Sequence, residues 1–363
     1  MKYSKEFRDP QVAARFLEIL AAAAARLDGV KTLMEVCGTH TMAIHRHGIR
    51  SLLPTKIRLI SGPGCPVCVT PVDFVDKAVA LSRLPDVIIA TFGDMVRVPG
   101  STTSLLKEKA QGIDLRIVYS PADAVALAAR NPSRRVVFLG VGFETTAPTV
   151  AASILQAEKS WLENYFVLCA HKTIPEAMAL LGEDPEIPID GYLCPAHVSA
   201  VIGTRAYASL ATEHAIPCVV TGFEPLDILQ GVALLVHQIL DGRAEVENQY
   251  SRFVRREGNP KAMEILHRVF EPCDARWRGL GTIPGSGLRI REEFAAFDIE
   301  KRLTIAAEPA REPSGCCCGE VLKGKIAPRD CPLFGTLCTP EEPVGACMVS
   351  NEGACAAAYR YGA

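Results

Sequence analysis

Short apolar runs alternate along the chain with longer stretches of helical periodicity. Runs rich in valine, isoleucine and leucine predict strands at residues 32–36, 57–61, 87–91, 115–119, 136–141, 166–170, 191–194 and 218–221. A period near 3.6 predicts helices at residues 10–28, 71–83, 101–111, 121–130, 147–160, 174–181, 199–213 and 225–241. Uniformly apolar strands that alternate with helices are typical of parallel sheets covered by helices on both faces.

The number of these units indicates more than one domain, because a chain of 363 residues exceeds the usual span of one hydrophobic core. We expect two parallel-sheet α/β domains, with helices on both faces, at residues 1–133 and 134–242. A C-terminal domain is expected at residues 243–363, where periodicity fades and glycine, proline and cysteine become frequent. This last segment is predicted to be irregular or helical and to need more than a hydrophobic core.

Composition excludes several classes of function. The net charge of −2 favours neither nucleic acid nor an anionic membrane as a partner. No apolar run is long enough to span a membrane, and no signal-peptide pattern follows the first residues, so we expect a cytoplasmic protein. In that reducing compartment the 14 cysteines indicate metal binding, iron–sulfur or redox chemistry rather than a disulfide framework.

Half of the cysteines lie close to the C-terminus, at Cys316, Cys317, Cys318, Cys331, Cys338, Cys347 and Cys355. Four thiolates bind either a zinc ion or a [4Fe–4S] cluster. Zinc sites commonly use paired Cys-x-x-Cys turns, and this segment has none, so its irregular spacing favours the cluster, with zinc as the alternative. The spacing leaves open which of the three consecutive cysteines is a ligand.

A second group of cysteines lies near the N-terminus. Cys37 follows one predicted strand, and Cys65 and Cys68 follow the next, in a Gly-Pro-Gly turn. If those strands are neighbours, all three thiols meet at one edge of the sheet. A turn ahead of a helix N-terminus lowers a thiol pKa, which predicts a redox pair of Cys65 and Cys68. Half of a zinc site is the alternative interpretation.

The remaining candidate ligands are histidines and scattered thiols. His40 lies three residues after Cys37 and is expected to bind a metal or to tune the thiol. His45 and His47 are expected at the surface of the following helix. Packing is the expected role of the scattered cysteines, which are Cys169, Cys194, Cys218 and Cys273.

Several longer motifs resemble a known family. They read EVCGTHT at residues 35–41, GPGCPVC at 62–68, GFETT at 142–146, CPAHVS at 194–199 and CMVSNEGAC at 347–355. Together they span nearly the whole chain and resemble the HypD family of hydrogenase maturation factors. The resemblance implies two α/β domains and a C-terminal [4Fe–4S] domain. It also implies a scaffold on which the Fe(CN)2CO unit of [NiFe]-hydrogenases is assembled.

The resemblance further implies partners and a reaction. HypC is expected to form a stable complex, HypE to deliver cyanide transiently as a thiocyanate, and the hydrogenase large-subunit precursor to benefit indirectly. Electrons are expected to pass from the cluster to the Cys65/Cys68 dithiol while cyanide is transferred to iron. Two alternatives remain: an iron–sulfur-dependent thiol–disulfide oxidoreductase that acts alone, and a zinc-stabilised binding protein without redox function.

Site residues follow from the same resemblance. Cys37 would hold the substrate iron, with His40 beside it, and Cys65 and Cys68 would form the thiol–disulfide pair. The implied cluster ligands are Cys316, Cys331, Cys338 and Cys347, with Cys318 as a rival to Cys316. Other residues lie in the motifs without an assigned role: Thr39, Asp94, Glu144, Thr145, Thr146, His197 and Glu352.

Overall fold

A computed structural model describes residues 6–307 and 309–362. Its strands are β1 Lys31–Glu35, β2 Ile57–Ser61, β3 Val87–Thr91, β4 Leu115–Ile117, β5 Arg135–Gly140, β6 Tyr165–Cys169, β7 Gly191–Pro195, β8 Cys218–Thr221, β9 Val246–Asn248, β10 Phe270–Trp277 and β11 Gly281–Ile290. Its α-helices are α1 Pro10–Ala25, α2 Gly38–Arg46, α3 Ile49–Leu52, α4 Pro66–Val69, α5 Val72–Ser82, α6 Leu105–Ala110, α7 Pro121–Arg130, α8 Ala147–Lys159, α9 Ile174–Gly182, α10 Ala196–Ile202, α11 Ala208–Thr212, α12 Pro225–Leu240, α13 Pro260–Val269, α14 Ile299–Arg302, α15 Cys318–Leu322 and α16 Ala354–Tyr361. Short 3-10 helices lie at Glu6–Arg8, Gly93–Arg97, Thr204–Tyr207, Glu292–Phe297, Pro328–Asp330 and Ala346–Met348.

The strands form two parallel sheets and one antiparallel hairpin. The first sheet has the order β2-β1-β7-β8-β9, and the second has the order β4-β3-β5-β6. The hairpin joins β10 to β11. Helices flank both sheets, and the segment after the hairpin is a mixture of turns and short helices. The expected α/β class with an irregular C-terminal region is therefore confirmed.

The expected division at residue 133 does not match the sheets. β3 lies before that boundary and β5 after it, yet they are hydrogen-bonded neighbours, with Val87 opposite Arg135. β1 and β2 belong to the first sheet, and the next four strands form the whole second sheet. The following strand, β7, then pairs with β1 in the first sheet. Alternation of strands and helices indicates parallel pairing, but it cannot show which strands are partners, since backbone hydrogen bonds do not depend on side-chain identity.

All eight predicted strands exist, whereas three were missed. The missed strands are β9 and both strands of the hairpin, whose glycines and prolines hid the pattern. The predicted helix at 199–213 is interrupted at Gly203, which has a φ of +80°. That conformation is readily available only to glycine. A Cβ there would also lie 2.2 Å from the Arg256 carbonyl oxygen, so the break is built into the packing.

Two features of the fold bring the thiol-bearing segments together. β1 and β2 are parallel neighbours with Glu35 opposite Ser61, so the turns that follow them lie side by side. α16 packs against α2, which places the C-terminal segment over those turns. Within the described residues, none of the helices combines the length and apolar character needed to cross a membrane.

Candidate thiol site and metal centre

Cys37 caps the N-terminus of α2 and is nearly enclosed. Its backbone is extended, and its side chain is 7% exposed. The neighbouring turn touches it directly, because the Gly38 amide donates to the Gly64 carbonyl at 3.0 Å. A Cβ on Gly64 would lie 2.3 Å from the Cys37 nitrogen, so only glycine permits this approach. The two N-terminal cysteine turns are therefore in contact, as the strand order requires.

Two carboxyl groups reach this turn from opposite ends of the chain. Glu35 is fully buried, and its Oε2 accepts from the Cys37 amide at 3.1 Å, while its Oε1 accepts from the Thr41 hydroxyl at 2.6 Å. Burial raises the pKa of Glu35 to about 7. Glu352 accepts from the Thr39 hydroxyl at 2.8 Å, and burial also raises the pKa of Glu352.

This environment keeps the Cys37 thiol protonated. Burial raises the pKa of Cys37 to about 12, and the charges of Glu352 and Glu35 act in the same direction. The backbone N–H groups of His40 and Thr39, at the start of α2, lower that pKa but do not outweigh burial. A metal that binds here must therefore displace the proton.

Cys65 and Cys68 lie at the start of α4 and within it, respectively. Cys65 caps α4, and the Cys68 amide donates to the Cys65 sulfur at 3.4 Å. The Cys68 thiol lies 3.9 Å from the Ala346 carbonyl and contacts the thiol of Cys347. Burial raises the pKa of Cys68. The predicted lowering is therefore wrong for Cys68, because a four-residue helix cannot offset complete burial.

His40 is a buried, neutral imidazole. Its Nε2 lies 2.9 Å from the Gly222 carbonyl and 3.0 Å from the Thr221 hydroxyl. A carbonyl only accepts, so the proton is on Nε2, and Nδ1 has no partner among the described residues. Burial lowers the pKa of His40 to about 4. The ring packs 4.8 Å from that of Phe223, so His40 offers one free lone pair from a fixed position.

The expected surface position of His45 is wrong. His45 is 7% exposed, and its Nε2 lies 3.1 Å from Nη1 of Arg50. α2 is covered by α3 and α16 as well as by α12, so it has more than one buried face. His47 follows α2 as its C-cap and is partly exposed.

Six C-terminal cysteines line one cavity: Cys316, Cys318, Cys331, Cys338, Cys347 and Cys355. The other walls come from Phe334, Gly345 and Met348. A Cβ on Gly345 would lie 2.6 Å from the Cys316 sulfur, so glycine makes room for this thiol. The Val344 amide donates to the Cys338 sulfur at 3.4 Å.

Within this cavity, the sulfur atoms of Cys318 and Cys347 lie 2.7 Å apart. Because Cys347 also contacts Cys68, these thiols link the C-terminal cavity to the N-terminal pair. Cys317 does not line the cavity, although its thiol contacts that of Cys331.

A buried arginine beside the cavity was missed by sequence reasoning. Arg278 is 3% exposed, and its Nε donates to the Thr70 carbonyl at 2.9 Å. Neither Nη atom has a hydrogen-bond partner in the described part of the chain, although Nη1 lies 3.8 Å from Glu312. Contact with Cys318 and burial raise the pKa of Cys316, and the charge of Arg278 lowers it. The only sequence signal was the Trp-Arg-Gly turn of the hairpin.

The residues around this cavity fit an iron–sulfur cluster. They supply soft thiolate donors, apolar walls, an amide directed at one sulfur and a buried cation that would balance a negative cluster. No group of three or more His, Cys, Asp or Glu side chains within residues 6–307 and 309–362 is arranged to hold a single metal ion. The donor chemistry matches a cluster, and because the free space among the thiols is about 10 Å³, they would have to move apart to surround a four-iron cube.

The other motif residues lie at three separate places in the fold. Asp94 approaches the C-terminal segment, where it accepts from the Ser350 hydroxyl at 3.0 Å. Glu144 follows the second sheet and accepts from the Ile174 amide at 2.9 Å, while Thr146 bonds the Phe143 carbonyl and Thr145 is exposed. Burial raises the pKa of Glu144 to about 8. His197 is exposed, with its ring 4.1 Å from that of Phe223.

The scattered cysteines differ in their burial. Cys194 and Cys218 are fully buried on the neighbouring strands β7 and β8, as a packing role requires. Cys169 and Cys273 are partly exposed, and the Cys169 thiol lies 3.3 Å from Nδ1 of His171.

Comparison with known proteins gives a consistent result. The family model HypD, described as "Hydrogenase formation hypA family", matches residues 11–362. The chain is 49% identical over 370 residues to hydrogenase maturation factor HypD of Cupriavidus necator, covering 100% of this chain and 97% of the relative. It is 50% identical over 369 residues to HypD of Azotobacter vinelandii, with the same coverage. It is 46% identical over 368 residues to HypD of Escherichia coli K12, covering 99% and 98%. The chain therefore belongs to the HypD family of hydrogenase maturation factors.

Proposed function

We propose that this chain is the cytoplasmic scaffold on which iron receives cyanide and carbon monoxide during [NiFe]-hydrogenase maturation. In this proposal HypC shares the iron, HypE delivers cyanide and the hydrogenase large-subunit precursor receives the product. The observation that carries the proposal is the position of Cys37, between the Cys65 turn and the carboxyl group of Glu352. Iron enters as substrate. A single thiolate fills one coordination position of the iron, so the other positions remain for ligands from a partner.

Binding of iron requires that Cys37 lose its proton. We propose Glu35 as the acceptor, because its carboxyl group is bonded to the Cys37 amide and its pKa near 7 permits both protonation states near neutral pH. His40, held neutral with a bare Nδ1, is proposed as a second group that orients or ligates the substrate.

The redox step is assigned to Cys65 and Cys68. A thiocyanate R–S–CN and two thiols give R–SH, HCN and a disulfide, so the S–CN bond breaks, the S–S bond forms and both thiol protons are transferred. The adjacency of Cys65 and Cys68 supports this role. Contact between Cys68 and Cys347 offers a path by which the disulfide is reduced again.

We propose that Cys316, Cys331 and Cys338 bind a [4Fe–4S] cluster, which when bound supplies one-electron transfer. The family resemblance assigns the fourth position to Cys347. Cys355 is its rival, because it lines the same cavity and contacts Cys347. Iron and sulfide analysis of Cys347→Ser and Cys355→Ser separates the two, because only the ligand variant loses the cluster.

The decisive experiment is cyanide transfer in an anaerobically purified complex with HypC, loaded by HypE and followed by Fe–CN infrared bands. We expect Cys65→Ala and Cys68→Ala to lose the bands and the maturation activity. Cys273→Ala, which changes a partly exposed cysteine of the hairpin, is the matched control and should retain both. Bands and activity at the wild-type level in the Cys65 or Cys68 variant would refute the redox role.

One other function has an observation in its favour. The contacts that join Cys65, Cys68, Cys347 and Cys318 would also suit an iron–sulfur-dependent thiol–disulfide oxidoreductase. That function predicts catalytic reduction of protein disulfides by the purified chain without HypC. Absence of such turnover, together with cyanide transfer in the complex, excludes it.

A further inference from the structure

A second cavity, of about 220 Å³, lies beside the edge strand β2 and shares no lining residue with the cysteine cavity. Its polar wall is formed by Arg50, Arg58 and Ser61. The apolar wall is formed by side chains of β2 and the C-terminal segment, namely Ile60, Val321, Ile326 and Ala354. None of its lining residues, all within the described ranges, is acidic.

The positive charge of this wall is poorly compensated. Arg50 donates from Nη2 to the Ser61 hydroxyl at 2.7 Å and from Nη1 to His45 at 3.1 Å, but its buried Nε has no partner in the structure described. Arg58 is exposed on β2, and no ion pair is formed by it among residues 6–307 and 309–362. Because arginine remains charged, two guanidinium groups in a cavity lined by no acidic residue favour a bound anion.

His45 does not relieve this charge. Arginine only donates, so Nε2 of His45 is the acceptor, and the proton of the neutral ring lies on Nδ1. Burial, followed by the charges of Arg50 and Arg329, lowers the pKa of His45 to about 4. The nearest acid that acts on Arg50 is Glu35, which is engaged by Cys37 and Thr41.

We propose that this cavity binds a short-chain carboxylate, with its carboxyl group on Arg50 and Arg58 and its apolar end against Ile60 and Ile326. The space equals about seven waters at roughly 30 Å³ each, which suits a ligand of a few heavy atoms. An inorganic oxyanion such as phosphate would direct polar oxygens at the apolar wall and leave them unsatisfied.

The site has a direct connection to the thiol centre. Arg50 bonds Ser61, the hydroxyl of Ser61 acts on Glu35, and Glu35 accepts from the Cys37 amide.

Calorimetric titration of the purified full-length chain with formate, acetate, propionate, butyrate and inorganic phosphate at constant ionic strength tests the assignment. We expect saturable carboxylate binding that tightens by up to roughly fourfold for each added methylene, as burial of apolar surface requires. Arg58→Gln should weaken it roughly tenfold, the value of one charge-assisted hydrogen bond. Arg15→Gln, an exposed arginine of α1, is the matched control and should change nothing.

A second variant keeps both arginines and fills the space. Ala354→Leu should abolish binding while circular dichroism and thermal unfolding report an intact fold. The proposal is overturned if no carboxylate binds saturably at tens of millimolar, if Arg58→Gln binds as the unmodified chain does, or if phosphate binds more tightly than butyrate. The titration needs neither iron nor HypC, so its outcome is independent of the proposed assembly function.

Discussion

The two cysteine regions of this protein are built in opposite ways. The N-terminal thiols follow β1 and β2, and their turns are positioned by strand register and by the contact of Gly64 with Cys37. The C-terminal thiols lie on turns and short helices, where six of them form the walls of one cavity. The first site is therefore held in place by the sheet, whereas the fold of the second region depends on the group that its thiols bind.

The largest expected effect is on the C-terminal region. Cys331→Ser should remove the proposed cluster and loosen residues 309–362, because binding free energy in metal-folded segments reaches roughly 10 kcal/mol or more. The Cys65→Ser variant should keep the iron of the C-terminal region, since Cys65 is outside the cavity. Iron content and hydrogen exchange of the C-terminal segment measure the contrast.

Cys317→Ser is the matched control for that comparison, because Cys317 is adjacent in sequence to two cavity cysteines but does not line the cavity. It should retain iron and protection from exchange. Equal iron content in the Cys331 and Cys317 variants would contradict the assignment of the cavity.

The next effect concerns the reactivity of Cys37. With a pKa of about 12, Cys37 should react with iodoacetamide at pH 8 at least roughly a hundredfold more slowly than an unperturbed thiol, and the rate should keep rising with pH. Glu352→Gln should accelerate it, because the carboxylate charge raises the Cys37 pKa. Mass spectrometry of the alkylated peptide against time gives the rate.

Glu342→Gln, an exposed acid of the same C-terminal segment, provides the control and should leave the alkylation rate unchanged. A Cys37 rate that is already maximal at pH 8 would show that the sheet edge does not keep this thiol protonated.

The smallest expected effect is on the pH dependence of stability, to which Glu35 of the N-terminal site contributes. The pKa of Glu35 is raised to about 7, so between about pH 4.5 and 7 the folded state binds more protons than the unfolded state. This group therefore contributes stability at low pH that is lost as the pH rises, by up to about 1 kcal/mol per pH unit.

Urea unfolding across that pH range measures how the free energy of unfolding changes with pH, which is the slope. Glu35→Gln should remove the contribution of Glu35 to that slope. Glu320→Gln, a change in α15 near the second site, should leave the slope as it is. If the Glu35 variant keeps the slope of the unmodified chain, then the carboxyl group is not held protonated by burial.

The geometry of the N-terminal cysteine region could be predicted from the sequence, whereas that of the C-terminal region could not. The strands before Cys37 and Cys65 could be recognised from apolar runs, and parallel neighbours necessarily bring their C-terminal ends together. The C-terminal region offered only spacing, which could not reveal the contact between Cys318 and Cys347. The burial of Arg278 was also invisible, since its guanidinium group donates to Thr70, which is far away in the chain.

The sequence by itself determined the α/β class, the positions of eight strands, the family and the identity of both thiol groups, because apolar periodicity and residue chemistry are local properties. Only the tertiary structure decided which strands share a sheet, how Cys347 reaches Cys68, and why burial outweighs the helix N-terminus at Cys37. These outcomes depend on long-range packing and on the exclusion of water, and neither is encoded in the spacing of neighbouring residues.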